Sequence, residues 1–99
     1  MYNVLCTAIN MKRVHLFISG HVQGVGFRYA TQDKALELGL YGWVRNIYDG
    51  RVEAVAEGED NLIKEFIEYC HIGPMGATVK EVKIEEEIPN SEFKNFEIT

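Results

Sequence analysis

The sequence predicts an α+β sandwich in which two helices cover one face of an antiparallel sheet. Three observations carry that prediction. Strand-like and helix-like hydrophobic periods follow one another in the order β-α-β-β-α-β. Each helical stretch stops at a glycine, the residue that best accepts the left-handed turn after a helix. An Asp-Gly pair, Asp49-Gly50, separates the two central strand-like runs and marks a tight hairpin. The chain has 99 residues, 46% hydrophobic and 25% charged, which suits one domain around one core and leaves no room for a second.

Taken in order, residues 13–19 alternate Val14, Leu16 and Ile18 with His15, Phe17 and Ser19, the period of a half-buried strand. A glycine-rich run, His21-Val22-Gln23-Gly24-Val25-Gly26, follows at once. Phe27, Ala30, Ala35 and Leu38 then recur at roughly helical spacing up to Gly39. Residues 41–46 and 51–57 are the hairpin strands. Leu62, Ile63, Phe66, Ile67 and Cys70 form the apolar stripe of a second helix that ends before Gly73-Pro74. Val79, Val82 and Ile84 belong to a fourth strand, and residues 93–98, short and aromatic, read as a fifth strand or an edge extension. This order is the split βαβ, ferredoxin-like arrangement. Residues 1–10 are read as an N-terminal extension and residues 11–99 as the domain. The acidic run Glu85-Glu86-Glu87 is read as a solvated strand end.

Charge and composition exclude several functions. A formal net charge of -5 gives no basic field for a polyanion, so nucleic acid is not an expected partner and any anion site must be local. No apolar run reaches 18 residues, so no membrane span is expected. Residues 1–10 lack the basic start of a signal peptide, and two cysteines, Cys6 and Cys70, make no disulfide framework; both point to a cytoplasmic protein. His15, His21 and His71 show no metal-ligand spacing. Cys70 and His71 are neighbours on a helix, about 100° apart, so they read as a buried thiol beside a surface imidazole. Neither a metal nor a cofactor is expected.

The two helix starts differ sharply. The second opens with Glu59-Asp60-Asn61, acids and an amide suited to satisfy free N–H groups and complement the helix dipole. The first opens from Gly24-Val25-Gly26-Phe27-Arg28, with no capping side chain and no acid before Asp33. Arg28 even places a cation at the positive end of the dipole, which costs up to about 1 kcal/mol. A bound anion resolves both oddities. Glycines 24 and 26 let the backbone turn its N–H groups inward as a nest, where phosphate fits. The Arg28 guanidinium would then grip two phosphate oxygens. The competing interpretation is a plain glycine-rich turn with a solvated Arg. Asn46, at the end of the second strand, carries an amide able to orient a water, although Asn before a turn more often satisfies local backbone.

Gly20-His21-Val22-Gln23-Gly24-Val25-Gly26-Phe27-Arg28, followed by Gly42-Trp43-Val44-Arg45-Asn46 and Asp49-Gly50-Arg51-Val52-Glu53, resembles the paired signature of the acylphosphatase family. The likeness runs from about residue 11 to residue 99. It implies the ferredoxin-like fold, a small acyl phosphate as substrate, no metal and no covalent intermediate. It also implies a phosphate cradle from Gln23, Gly24, Val25, Gly26, Phe27 and Arg28, with Arg28 and Asn46 as the catalytic residues. Some members carry a bulkier residue at the position of Gly26, so Gly24 weighs more in the match. A monomer is expected.

Three alternatives stand beside this. The same element order serves RNA-recognition domains, and Leu16-Phe17-Ile18-Ser19-Gly20 resembles their first aromatic strand, but residues 51–57 contain acids and no aromatic for base stacking. Related domains begin larger hydrogenase-maturation proteins that handle carbamoyl phosphate; no zinc or carbamoyl-transfer segment follows the last strand here. A regulatory domain that binds a small anion without turnover is the third.

Overall fold

The computed structural model describes residues 10–99, so the expected extension, including Cys6, lies outside the described residues except for Asn10. Seven elements follow in chain order: β1 (Met11–His21), α1 (Phe27–Glu37), β2 (Tyr41–Asn46), β3 (Val52–Glu59), α2 (Asp60–Ile72), β4 (Thr78–Glu87) and β5 (Phe96–Ile98). They build one five-stranded sheet in the order β4-β1-β3-β2-β5. The fold is the expected ferredoxin-like α+β arrangement, with one correction. Three of the pairings are antiparallel, but β5 runs parallel to β2, so the sheet is mixed. Because β4 and β5 sit at opposite edges, residues 88–95 must cross the sheet, and they deliver β5 in the direction of β2.

That topology places the site. Both β1 and β2 are antiparallel to β3, so they run the same way and their ends, His21 and Asn46, lie at one end of the sheet. Helix α1 starts after the five-residue loop 22–26 that leaves this end.

The core forms on the helix-covered face. Val14, Leu16 and Ile18 are buried while the alternate residues of β1 are not, as the period-two pattern requires. From α2, Ile63, Phe66 and Cys70 are fully buried, and Phe66 meets Phe96 of β5 edge to face at 5.9 Å. Truncating such a ring to Ala costs about 3–5 kcal/mol, so this contact secures the short fifth strand. On α1 the buried stripe is Phe27, Thr31 and Ala35; Ala30 and Leu38 are only half-buried.

Two further expectations need correcting. Helix α2 has Glu59 as its N-cap with no side-chain capping bond, and Asn61 lies inside its first turn. Glu59 is still the last residue of β3, paired with Met11, and the adjacent Asp60 N–H donates instead to the Asn10 carbonyl at 2.8 Å. Asp60 does complement the dipole, through its charge, while its carboxylate pairs with Lys12 at 3.1 Å. Of the acidic run, Glu87 is not a solvated end. It lies opposite Arg13 in the β1–β4 register, accepts from Arg13 Nε at 2.9 Å and faces His15 Nδ1 at 3.0 Å.

The open face of the sheet carries this ionic network further. Glu53, buried on β3, accepts from Arg45 Nε at 2.7 Å and lies 2.6 Å from His15 Nε2. Burial pushes the Glu53 carboxyl up, but the hydrogen bonds from His15 and Arg45 outweigh it and hold the group below the usual carboxylate range. His15 stacks on Phe17 and meets Trp43 edge-on.

Candidate active site

The loop between β1 and α1 is built from the inside out. Val22 is buried and anchors its base, whereas Gly24 and Gly26 are exposed. Both glycines adopt left-handed backbone angles, φ 78° and 76°. A Cβ at either position would meet nothing within 4 Å, so glycine is needed here for its conformation and not for room.

Gly26 is the N-cap of α1, and no side chain caps the helix. Its first turn holds no acid. The first helical bond runs from the Ala30 N–H to the Gly26 carbonyl, at 3.0 Å. Among the described residues, no backbone or side-chain acceptor meets the N–H groups of residues 24–28, which therefore form an open donor array at the positive end of the dipole. Arg28, half-buried in the same turn, enters no salt bridge or side-chain hydrogen bond among the described residues, although Arg13, Arg45 and Arg51 are each paired with acids.

Gln23 joins this loop to the second half of the site. Its Nε2 donates to the Ile47 carbonyl at 2.7 Å and to the Arg51 carbonyl at 3.0 Å, spanning the turn that follows Asn46. The side chain is thereby spent on the turn, and only the backbone of Gln23 remains for a cradle. The turn closes on itself through Ile47 N–H to Arg51 O, 2.9 Å, and Gly50 N–H to Ile47 O, 3.0 Å.

Asn46 pairs with Val52, a fully buried core residue, so its side chain lies on the helix-covered face where α1 begins. Its Oδ1 is buried without a hydrogen-bond partner, although the residue as a whole is half-exposed. The structure brings residues 23–28 and Asn46 to one end of the sheet.

The cysteine and histidine of α2 form no nucleophile or metal pair. Burial pushes the Cys70 thiol up, so it stays protonated inside α2. His71 is exposed and faces the Ile67 carbonyl through Nδ1 at 3.0 Å. Among the described residues no group of three His, Cys, Asp or Glu side chains is placed to hold a metal, and no helix is long and apolar enough to cross a membrane. Surface concavities lie between α1 and α2 against Asp33 and Tyr69, along β5 against Trp43 and Phe93, and at the start of α2 against Asn10 and Asn61. The N–H groups at the start of α1 lie on an exposed loop.

Comparison with known proteins gives the family. The model of the family described as Acylphosphatase matches residues 14–98. The chain belongs to the acylphosphatase family. An acylphosphatase of Trichormus variabilis is 54% identical over 86 residues, covering 87% of this chain and 84% of that protein. One of Marinobacter nauticus is 52% identical over 91 residues, covering 92% and 99%. The solved structure of an acylphosphatase from Coxiella burnetii superposes with a TM-score of 0.89 at 39% identity, covering 94% of this chain and 97% of that one. By family and by fold this chain is an acylphosphatase.

Sequence reasoning missed two residues within this arrangement. Gly42, quoted only as part of the second motif, has φ 146°, and a Cβ there would lie 1.9 Å from the Val55 carbonyl oxygen. It lets β2 lie flat on β3 and so carries Asn46 to its place. Thr31 is buried on α1 with its hydroxyl unpaired, and its polarity hid it from the apolar pattern of that helix.

Proposed function

We propose that this chain hydrolyses the carboxyl–phosphate anhydride of a small acyl phosphate to carboxylate and inorganic phosphate, acting in the cytoplasm as a monomer and without a metal. The observation that carries it is the uncapped start of α1, where N–H groups without an acceptor and Arg28 without an acid partner, among the described residues, share one turn joined by Gln23 to the strand end bearing Asn46. Backbone N–H groups of residues 24–28 hold the phosphoryl oxygens, and Arg28 grips two of them.

A water positioned by Asn46 attacks phosphorus. The new P–O bond forms as the bond to the acyl oxygen breaks, the carboxylate leaves with that electron pair, and the water proton passes to a phosphate oxygen. The carboxylate is already a good leaving group, so positioning and charge stabilisation suffice, and no side chain needs to act as nucleophile.

Turnover of benzoyl phosphate in the presence of a chelator tests the reaction. Activity above buffer is expected; no turnover would remove the enzymatic reading, and loss caused by the chelator would remove its metal-free part. Asn46→Ala separates the roles. It should lower kcat by about 10²-fold with KM and phosphate inhibition nearly unchanged, the signature of a group acting on the transition state. Arg28→Ala should harm both kcat and KM. Folded Asn46→Ala with near-normal kcat would show that Asn46 does not position the water.

A further inference from the structure

Asn46 is the last residue of β2 and pairs with Val52, the first residue of β3; beyond it the chain leaves the sheet for the turn 47–51. The last rung of a ladder is the one most free to open, so the place of Asn46 depends on what holds that rung. From beyond, the Gln23 amide holds the turn. From before, the neighbouring rung is Arg45 opposite Glu53, the one bonded along the chain to Asn46 and the other to Val52. Arg45 Nε donates to Glu53 Oε1 at 2.7 Å.

That rung ends a row of side chains that crosses adjacent strands on the open face of the sheet. Glu87 of β4 faces His15 of β1 at 3.0 Å, His15 faces Glu53 of β3 at 2.6 Å, and Glu53 accepts from Arg45 of β2. The two oxygens of Glu53 serve different partners, Oε1 for Arg45 and Oε2 for His15, so the carboxylate cannot turn without losing one. Glu53 is only 6% exposed although it lies on the face away from the helices, and a carboxylate so placed is costly unless its oxygens are met. Arg45 is held at a second point, its guanidinium lying over the Trp43 ring at 5.4 Å from the centroid. An apolar pair of similar volume ties two strands about as strongly as a buried ion pair. What the charged hydrogen bond adds is direction.

We propose that Arg45, anchored on Glu53, is a positioning residue for Asn46. By closing the rung before the strand end it fixes the backbone from which the Asn46 side chain projects, while Gln23 fixes the chain beyond. Arg45 does not itself meet substrate. Alternate residues of a strand point to opposite faces, so its guanidinium lies on the open face and the Asn46 amide on the helix-covered one. Arg28 thus remains the cation of the cradle. The inference rests on Asn46 acting as proposed above, and it gives the reaction a determinant on the far side of the sheet from the phosphoryl group.

Arg45→Met keeps an unbranched stem over Trp43 and removes the donors; Arg45→Lys keeps a cationic donor. With benzoyl phosphate, assayed below the melt of each variant, Arg45→Met should lower kcat by about 5- to 10-fold, a misplacement effect, while KM and inhibition by inorganic phosphate stay as in the parent. Arg45→Lys should restore most of the loss. Should Arg45→Met not fold, Glu53→Asp, which shortens the acceptor and keeps its charge, takes its place with the same expectation. Glu87→Gln weakens the same row at its far strand and should leave kcat at the parental value. In an Asn46→Ala background Arg45→Met should add nothing further. The side-chain ¹⁵NH₂ signals of Asn46, identified by their disappearance in Asn46→Ala, should move in Arg45→Met and stay in place in Glu87→Gln. Parental kcat in folded Arg45→Met, an equal loss in Glu87→Gln, or KM rising in step with the fall in kcat would overturn the inference. If Asn46→Ala itself keeps its turnover, the catalytic reading of Asn46 falls, and the ¹⁵NH₂ signals decide alone: displaced in Arg45→Met, they show that Arg45 holds the strand end, and unmoved, they refute it.

Discussion

Replacing Gln23 by Ala probes the joint between the two halves of the site. The Gln23 amide donates to two carbonyls, Ile47 at 2.7 Å and Arg51 at 3.0 Å, and a net hydrogen bond of this kind contributes about 1 kcal/mol. Each carbonyl keeps a second donor in the truncated variant, Ile47 from the Gly50 N–H and Arg51 from the Ile47 N–H. No acceptor is orphaned, so the larger penalty for an unsatisfied buried group does not apply. The expected loss is therefore about 2 kcal/mol, which for a domain of this size lowers the melting temperature by roughly 10 °C. The catalytic effect should be of a different kind. The backbone donors and Arg28 remain, so inhibition by inorganic phosphate should persist, while Asn46 loses its fixed distance to the cradle and kcat should drop by about 10-fold or more. Gln23→Glu should be worse than Ala, because a carboxylate would face two carbonyl oxygens. A thermal melt, kcat with benzoyl phosphate and the phosphate inhibition constant are measured together. An unchanged melt with unchanged kcat would refute the joint, and phosphate affinity falling more than kcat would mean that the side chain holds phosphate directly.

Gly42→Ala should destabilise by about 2–5 kcal/mol, since the added carbon meets the Val55 carbonyl and the backbone angle is unfavourable for any side chain; a denaturant melt within error of the parent would show that the strand can yield. The Glu53 carboxyl is held below its ordinary 4.5, so its contribution to stability is present above that pH and is lost as pH falls through the depressed folded value. Glu53→Gln should accordingly flatten the fall in melting temperature below about pH 5, and an acid profile as steep as the parent's would assign that fall to other carboxylates. Deleting residues 1–9 should leave the melt and turnover near those of the full chain, because Asn10, whose carbonyl meets the Asp60 N–H, is retained; extending the deletion to Asn10 should cost the α2 start that bond, about 1 kcal/mol.

The legible parts of the fold were those where one period governs one face. Alternation of Val14, Leu16 and Ile18 with polar partners, the stripe Ile63, Phe66 and Cys70, and the Asp49-Gly50 turn each report a local rule that the tertiary structure does not override. What escaped was set by pairing between distant segments. The direction of β5 follows from the crossing of residues 88–95, and the partners of Glu87 follow from the β1–β4 register; neither has a local signal. Asn10 caps α2 for the same reason: a side chain is expected because capping is commonly local, but the residue before β1, beside the end of β3, supplies a carbonyl first.

The proposed site stands out in the sequence for a physical reason. A helix start is an element whose requirements are known in advance, so a start lacking a capping side chain, lacking acids and carrying Arg28 is an anomaly visible without coordinates. The structure sharpens it, for α2 also lacks a side-chain cap and yet is no second anion site: its first N–H is met by Asn10, and Asp60 supplies negative charge. An uncapped start alone therefore does not distinguish the two helices. The difference is that α2 is answered from within the fold, by one carbonyl and one carboxylate, whereas α1 is answered by nothing among the described residues and adds a cation. Anion binding, as proposed above, would satisfy α1 in place of water, and Gln23 would hold that anion's cradle to the turn that follows Asn46.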